Sequence, residues 1–253
     1  GRLVAELRDT PARDDREWCG EYHDGSTEDT HGRAAVNEPY WTRAYRAVFA
    51  ALAVAAIIVK YPLDGDSLVT YLSKFTVESN AFGAAVLLGG ALLAPRITGT
   101  IAWDGVRGAA AMYLLTTGIV YGLLLQGFDN PFTSGRHWTH TVLHQLMPIV
   151  IVLDLVVRPF AHRLGWRDAL RWTVFPILYL VYSLVRGAII GWYPYDFIDP
   201  SEVGGYGGVA LYALGISAGF LAFAFLILWL SNSLHRLPVR AKPVAVPSGS
   251  APS

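Results

Sequence analysis

The chain has 253 residues and a formal net charge of zero, with 53% hydrophobic and only 16% charged residues. A soluble globular domain carries about 25% charged residues, so this composition argues against a soluble enzyme. No basic block favours nucleic acid, and the single cysteine, Cys19, excludes an intrachain disulfide and a site of several cysteines. The composition therefore indicates an integral membrane protein.

The charged residues are concentrated in the N-terminal segment. Residues 1–40 hold ten acidic residues and five arginines, whereas the C-terminal residues 237–253 are rich in proline, serine and alanine. Neither segment has the apolar periodicity of a packed helix, and we expect both to be disordered tails. The region between them, 41–236, is predicted to be the transmembrane domain.

Six stretches of this region are long and apolar enough to cross a bilayer. A hydrocarbon core about 30 Å thick needs about 20 mostly apolar residues in a helix. The stretches lie approximately at 41–60, 68–93, 108–127, 138–158, 171–190 and 207–230. The predicted fold class is all-α, a polytopic bundle of six transmembrane helices.

Lysine and arginine residues near the ends of the spans predict the orientation. One side of the bundle carries twelve of them, and the opposite loops carry only Lys60 and Arg136. We therefore expect both termini in the cytoplasm and the loops 61–67, 128–137 and 191–206 outside. Aromatic residues of the last loop are expected in an interfacial belt, namely Trp192, Tyr193 and Tyr195.

Polar side chains inside the second span are functional candidates, because burying them in a bilayer costs free energy. One stripe at helical spacing consists of Ser73, Thr76, Asn80 and Gly83. Lys74 and Glu78 lie four residues apart on a different face.

The fourth and fifth spans carry matching stripes, His137, His140 and His144 on one and Tyr179, Tyr182 and Arg186 on the other. Thr76 is about seven residues inside its span and His144 about six. At 1.5 Å of rise per residue, both lie about 10 Å below the same membrane face. We predict that these two side chains meet.

Several segments of these spans resemble a known family: KFTVESNAFGAAVL, HTVLHQLMPIVIVLDLVV, YLVYSLVRGAIIGWYPYDFIDP and GYGGVALYALGI. They are similar to the Pr6Pr family of bacterial six-helix membrane proteins, which looks like a relative of the animal androgen-induced and androgen-dependent membrane proteins. The resemblance covers roughly residues 41–235. It implies a bacterial plasma-membrane protein that hydrolyses fatty acid esters of hydroxy fatty acids. By position, the nucleophile would be Thr76 in the KFT run and the catalytic histidine His144, just ahead of Pro148.

The chemistry of the residues is consistent with this hypothesis. A threonine hydroxyl becomes a nucleophile when a base takes its proton, and a neutral imidazole is such a base. The predicted partners are a lipid ester and the surrounding lipids, with no cofactor, metal or nucleic acid. Side chains expected to bind the substrate or its oxyanion are Asn80, His140, Arg186, Tyr182 and Lys74.

Two alternatives remain open at this stage. The histidine stripe could bind zinc together with a carboxylate such as Glu78 or Asp196, and a bound water would then be the nucleophile. Alternatively, the polar layer could bind or transport a lipid or fatty acid without catalysis, with Arg186 and Lys74 receiving an anionic headgroup. The sequence predicts no oligomeric state.

Overall fold

A computed structural model describes residues 39–93, 97, 99–125 and 138–234. The α-helices of this part are α1 (Tyr40–Asp64), α2 (Leu68–Leu72), α3 (Phe75–Leu92), α4 (Ile101–Val120), α5 (Trp138–Thr141), α6 (Met147–Val157), α7 (Trp166–Trp172), α8 (Val174–Ile190) and α9 (Tyr206–Leu234). A π-helical turn, Tyr121–Leu125, continues α4, and a second one, Val142–Leu146, joins α5 to α6. The described residues contain no strand.

Six helical runs are long and apolar enough to span a membrane: Tyr40–Asp64, Phe75–Leu92, Ile101–Leu125, Trp138–Val157, Trp166–Ile190 and Tyr206–Leu234. The predicted all-α bundle of six spans is therefore confirmed. The chain termini lie outside the described residues, so the predicted tails and their cytoplasmic side stay predictions.

The second predicted span, 68–93, is not one helix. It breaks at Ser73 and Lys74, where Lys74 has an extended backbone with φ −84° and ψ 128°. The Ser73 carbonyl accepts a hydrogen bond from the phenol of Tyr179 at 3.0 Å, so a tertiary contact replaces a helical one. Ser73 consequently does not share a helical face with Thr76, and the predicted stripe begins only at Thr76.

The predicted start of the third span, residue 108, is wrong by seven residues. The helix itself begins at Ile101. Its first turns contain Asp104 and Arg107, which looked too polar for a span. Both charges have partners in the fold: the Asp104 carboxylate accepts from the backbone N–H of His162 at 2.9 Å, and Arg107 pairs with Asp154 at 2.8 Å. Paired charges are tolerated where isolated ones are not.

Helix α4 lies at the centre of the bundle and packs against α3, α6 and α9. Helix α1 packs along α3 through a row of buried alanines, Ala50, Ala53 and Ala56. Small residues let two helices approach closely in lipid, where dispersion contacts rather than the hydrophobic effect drive association. This packing holds α1, α3, α4 and the fourth span together around the polar residues.

The two ends of the bundle differ in chemistry. At one end, Asp154 of α6 is buried between Arg46 of α1 and Arg107 of α4, and we call this the arginine end. Asp154 also accepts a hydrogen bond from the phenol of Tyr45. At the other end, called the site end, α1 and α8 finish while α3 and the fourth span begin. The ion cluster of the arginine end ties three spans together.

Replacing Asp154 with Asn should destabilise the protein strongly, because the buried Arg46 and Arg107 would lose the carboxylate that lies between them. Breaking a buried pair in this way costs about 3–5 kcal/mol. Thermal unfolding in detergent should show a clear fall in the transition midpoint. Replacing the exposed Glu202 with Gln is the matched control and should leave the midpoint unchanged. Equal midpoints for the two variants would contradict the structural role of the cluster.

Candidate active site

Thr76 lies in the first turn of α3, at the site end of the bundle. Its Oγ1 is 3.3 Å from Nε2 of His144 in the fourth span. Both residues are buried, with 7% and 6% of their surfaces exposed, so water competes little for this hydrogen bond. The prediction that the two side chains meet is confirmed, and their catalytic roles stay predictions.

The surroundings of Nδ1, the second ring nitrogen of His144, determine which of the two ring nitrogens carries the hydrogen. Nδ1 lies 3.1 Å from the backbone carbonyl oxygen of His140. A carbonyl only accepts hydrogen bonds, so Nδ1 must carry the hydrogen and Nε2 of the neutral ring has a lone pair directed at Thr76. The ring of Tyr121 stacks on His144 with 3.9 Å between centroids and restrains its plane. A hydroxyl therefore faces the basic nitrogen of an oriented imidazole.

A local irregularity in the fourth span produces this geometry. The π-helical turn Val142–Leu146 lies just before Pro148, which has no N–H. In the π register this proline would have donated to the carbonyl of Leu143, five residues earlier. The side chain of Asn80 donates to that carbonyl instead, at 3.0 Å. The turn that carries His144 is thus fastened to α3.

The predicted substrate-binding role of Asn80 needs correction. Asn80 is completely buried, and its Nδ2 donates both to Leu143 and to the carbonyl of Thr76, at 2.8 Å for the latter. Both amide hydrogens are therefore used, and neither can bind a substrate oxygen. Among the described residues, its Oδ1 has no hydrogen-bond partner. Asn80 joins α3 to the fourth span.

His140 contacts Lys60 and His144 in the structure. Its Nε2 faces the ammonium of Lys60 at 3.3 Å, and Lys60 in turn pairs with Asp64 one helical turn later. An ammonium only donates, so Nε2 of His140 accepts and the ring is neutral in this arrangement. The backbone carbonyl of His140, and not its ring, accepts the hydrogen bond from Nδ1 of His144. The third member of the predicted stripe, His137, lies outside the described residues.

Lys74 is held by two carboxylates and not by its predicted neighbour Glu78. Its Nζ lies 2.9 Å from Asp64 and 2.6 Å from Asp66. Burial lowers the pKa of Lys74, but the hydrogen bonds and charges of these two carboxylates outweigh burial and raise it. The ammonium is consequently neutralised by the protein. The structure therefore does not support Lys74 as the receptor of an anionic ligand.

Arg186 and Tyr182 lie on a groove along α8, apart from the Thr76 hydroxyl. Nη2 of Arg186 donates to the hydroxyl of Thr70 at 3.2 Å, and the guanidinium stacks over the Trp192 ring at 4.5 Å. Its Nη1 has no hydrogen-bond partner in the described part of the chain. Tyr182 shares a hydrogen bond of 2.9 Å with Ser73. Arg186 and Tyr182, both predicted to bind the ligand, thus form a polar site of their own, separate from the Thr76–His144 pair.

A cavity of about 170 Å³ opens beside Thr76, between α4, α8 and α9. Its lining includes three hydroxyl-bearing residues, Thr76, Tyr179 and Tyr195. Its remaining wall is mostly apolar and includes Ile177, Ile216, Phe220 and Leu221. Of these, Ile177 on α8 and Leu221 on α9 are exposed.

The described residues contain no group of three or more histidine, cysteine or acidic side chains placed to hold a metal ion. His140 and His144 lie side by side, with ring centroids 5.7 Å apart. One of them binds Lys60 through Nε2 and the other faces Thr76 through Nε2. These two nitrogens therefore do not converge on one point.

Sequence reasoning missed Tyr195, which it assigned to the membrane interface. The structure turns this side chain inward, where its hydroxyl accepts a hydrogen bond from the backbone N–H of Thr76 at 3.3 Å. The adjacent phenol of Tyr179 accepts from Phe75 N–H at 3.1 Å. The one available sequence signal was the presence of two prolines and several glycines in 191–208, which lets a loop fold back.

Comparison with known proteins identified no relative: no family model, no curated protein and no solved structure matches this chain. Its function has to be inferred from the geometry of the site and from the resemblance of short segments. A fold alone would not determine the reaction in any case.

Replacing Asn80 with Leu should destabilise the protein, because the carbonyl of Leu143 would be buried without a donor. An unsatisfied buried acceptor costs about 1–3 kcal/mol. The matched control is Thr116→Val, since the hydroxyl of Thr116 donates only within its own helix, to Met112 at 2.9 Å. Thermal unfolding in detergent should therefore give a lower midpoint for the Asn80 variant. A larger effect at Thr116 would contradict the assigned role.

Proposed function

We propose that this protein is an intramembrane hydrolase of a lipid ester in a bacterial plasma membrane, with Thr76 as nucleophile and His144 as base. The observation that carries the proposal is the 3.3 Å contact between the Thr76 hydroxyl and Nε2 of His144, with Nδ1 held by the His140 carbonyl. This is the arrangement of nucleophile, base and orienting group that acyl transfer requires. The resemblance of the same segments to ester hydrolases supports it.

The first half of the reaction transfers the acyl group to Thr76. His144 Nε2 takes the hydroxyl proton while Oγ1 attacks the ester carbonyl carbon, and the carbonyl electron pair moves onto oxygen. The tetrahedral intermediate collapses by breaking the bond to the alcohol oxygen. That oxygen receives the proton from His144 and leaves as an alcohol.

The second half releases the acid. A water molecule takes the place of the alcohol and gives a proton to His144, and its oxygen attacks the acyl carbon. Collapse breaks the bond to Thr76 Oγ1, which regains the proton. Throughout, the His140 carbonyl stabilises the positive charge that His144 acquires transiently.

The mostly apolar lining of the cavity suits an acyl chain. Its apolar wall extends along α9 from Ala213 to Leu221, which corresponds to about 12 Å at 1.5 Å per residue. A carbonyl at the Thr76 end would place the hydrocarbon along this wall. We expect such a substrate to enter from the bilayer between α8 and α9, where the lining residues Ile177 and Leu221 are exposed.

A second candidate function is the binding of an anionic lipid without catalysis. One observation favours it: Nη1 of Arg186 has no hydrogen-bond partner in the described chain, and the guanidinium lies on a groove lined by Val185 and Ile189. A carboxylate or phosphate headgroup would complete its hydrogen bonding. This site does not need Thr76.

A lipophilic fluorophosphonate probe tests the hydrolase proposal, because it forms a stable adduct only with an activated hydroxyl. We expect the adduct on Thr76, and we expect Thr76→Val and His144→Asn to abolish labelling. Loss of the base should slow any residual reaction by about 10²–10⁴-fold. Thermal unfolding in detergent shows whether each variant is folded.

The matched control is Ser79→Ala. Ser79 lies one helical turn from Thr76, but its hydroxyl contacts Thr117 at 3.0 Å and not His144, so labelling should persist. Labelling should also persist in chelator, which separates this reaction from zinc-dependent hydrolysis. Absence of labelling in the wild type, or an adduct on Ser79, would refute the threonine mechanism and favour lipid binding.

A further inference from the structure

Two backbone N–H groups in the first turn of α3 donate hydrogen bonds to phenol oxygens. A helix leaves its first N–H groups without helical acceptors. Here the N–H of Phe75 donates to the phenol oxygen of Tyr179 at 3.1 Å, and the N–H of Thr76 donates to that of Tyr195 at 3.3 Å. Tyr179 comes from α8 and Tyr195 from the loop after it. Both phenols line the cavity next to the Thr76 hydroxyl.

The two phenols differ in what their own hydrogens do. Tyr179 donates to the carbonyl oxygen of Ser73 at 3.0 Å, so its hydrogen is committed. The hydroxyl of Tyr195 has side-chain hydrogen bonds with two other hydroxyl groups, those of Thr76 and Tyr179. A hydroxyl hydrogen can rotate between acceptors, so the Tyr195 O–H can turn from these groups to a carbonyl oxygen bound next to Thr76.

Other donors near Thr76 are already engaged. Both amide hydrogens of Asn80 bind carbonyl oxygens, and the N–H of Val77 donates to the carbonyl of Lys74 at 2.9 Å. The ammonium of Lys74 is paired with Asp64 and Asp66. Among these groups, Tyr195 is thus the donor whose side-chain partners are other hydroxyls, so an ester carbonyl bound at Thr76 can take their place.

We propose that Tyr195 donates its hydroxyl hydrogen to the carbonyl oxygen of the bound ester and stabilises the oxyanion that forms when Thr76 attacks. This inference rests on the proposed hydrolase function and names a catalytic residue of the same site. The proton stays on Tyr195 throughout, because the oxyanion returns its electron pair to the carbonyl when the intermediate collapses. A donor placed where negative charge develops lowers the barrier in proportion to that charge.

The surroundings of Tyr195 suit a donor. Accepting the N–H of Thr76, at the positive end of the α3 dipole, polarises the phenol and strengthens the hydrogen bond that it donates. Burial raises the pKa of the Tyr195 phenol, which keeps it protonated at neutral pH. The group therefore enters the reaction as a neutral O–H.

The loop after α8 is packed firmly enough to position this hydroxyl. The Tyr195 ring stacks on Phe197 with 5.1 Å between centroids, and Ile198 is buried. Tyr193 lies directly on α8 at Gly187, where a Cβ would come within 2.1 Å of the tyrosine ring. A side chain larger than that of glycine would push the loop away. The inward direction of Tyr195 thus depends on close packing rather than on a flexible loop.

The test compares Tyr195→Phe with Tyr193→Phe, using p-nitrophenyl octanoate in detergent micelles as the probe ester. Tyr195→Phe keeps the ring and removes the hydroxyl, so kcat should fall by about 10²–10³-fold, as for loss of one oxyanion donor. KM should change little, because the lost interaction forms mainly in the transition state. Fluorophosphonate labelling of Thr76 should slow in parallel. Tyr193→Phe should retain wild-type kcat.

A second variant covers the case in which Tyr195→Phe does not fold. A trifluorotyrosine at position 195 keeps the hydroxyl and lowers its pKa, so activity should disappear at a lower pH than in the wild type as the donor loses its proton. An unchanged kcat in Tyr195→Phe, or an unchanged pH profile with trifluorotyrosine, would overturn the role of Tyr195. If the wild type neither cleaves the ester nor labels at Thr76, the proposed hydrolase function itself fails.

Discussion

The hydrogen bond between Thr76 and His144 depends on two interruptions of regular helix, and the rest of the site is arranged around them. The break before α3 puts Thr76 in a first helical turn, where its backbone N–H is open to a phenol. The π turn before Pro148 aims His144 at Thr76 and leaves a carbonyl that Asn80 satisfies. In a bilayer, such irregular backbone is tolerated only where protein groups replace the lost hydrogen bonds. Here Tyr179, Tyr195 and Asn80 provide such groups.

Stability and chemistry are assigned to opposite ends of the bundle. At the arginine end, Asp154 neutralises Arg46 and Arg107 and ties α1, α4 and α6 together. At the site end, carboxylates hold Lys60 and Lys74, so both ammonium groups near Thr76 and His144 are paired. A neutral imidazole next to an apolar cavity can accept a proton transiently, whereas a permanent charge there would have to be solvated. This separation keeps the paired charges of the arginine end away from the proposed reaction centre.

Hydropathy predicted the six spans because a helix needs about 20 apolar residues to cross a bilayer, whichever helices pack against it. The rise per residue of a helix then placed Thr76 and His144 at one depth. The break at Ser73 and Lys74 was not predictable in this way, since the Ser73 carbonyl binds the phenol of Tyr179, a tertiary contact. Tyr195 was assigned to the membrane interface because loop residues carry no periodicity that shows which way they point. Its inward direction follows from the packing of its loop, in which the neighbouring Tyr193 lies closely on Gly187 of α8, a tertiary contact.

The central claim is that neutral His144 carries its hydrogen on Nδ1 and presents the lone pair of Nε2 to Thr76. Nitrogen NMR of protein labelled with ¹⁵N-histidine tests it directly, with the signals assigned by their loss in His144→Asn. Near neutral pH the account predicts a protonated Nδ1 and an unprotonated Nε2, and a shift of the Nε2 signal in Thr76→Val when the hydrogen bond is lost. A proton on Nε2 of His144 under these conditions would contradict the account, because that nitrogen could not act as the base.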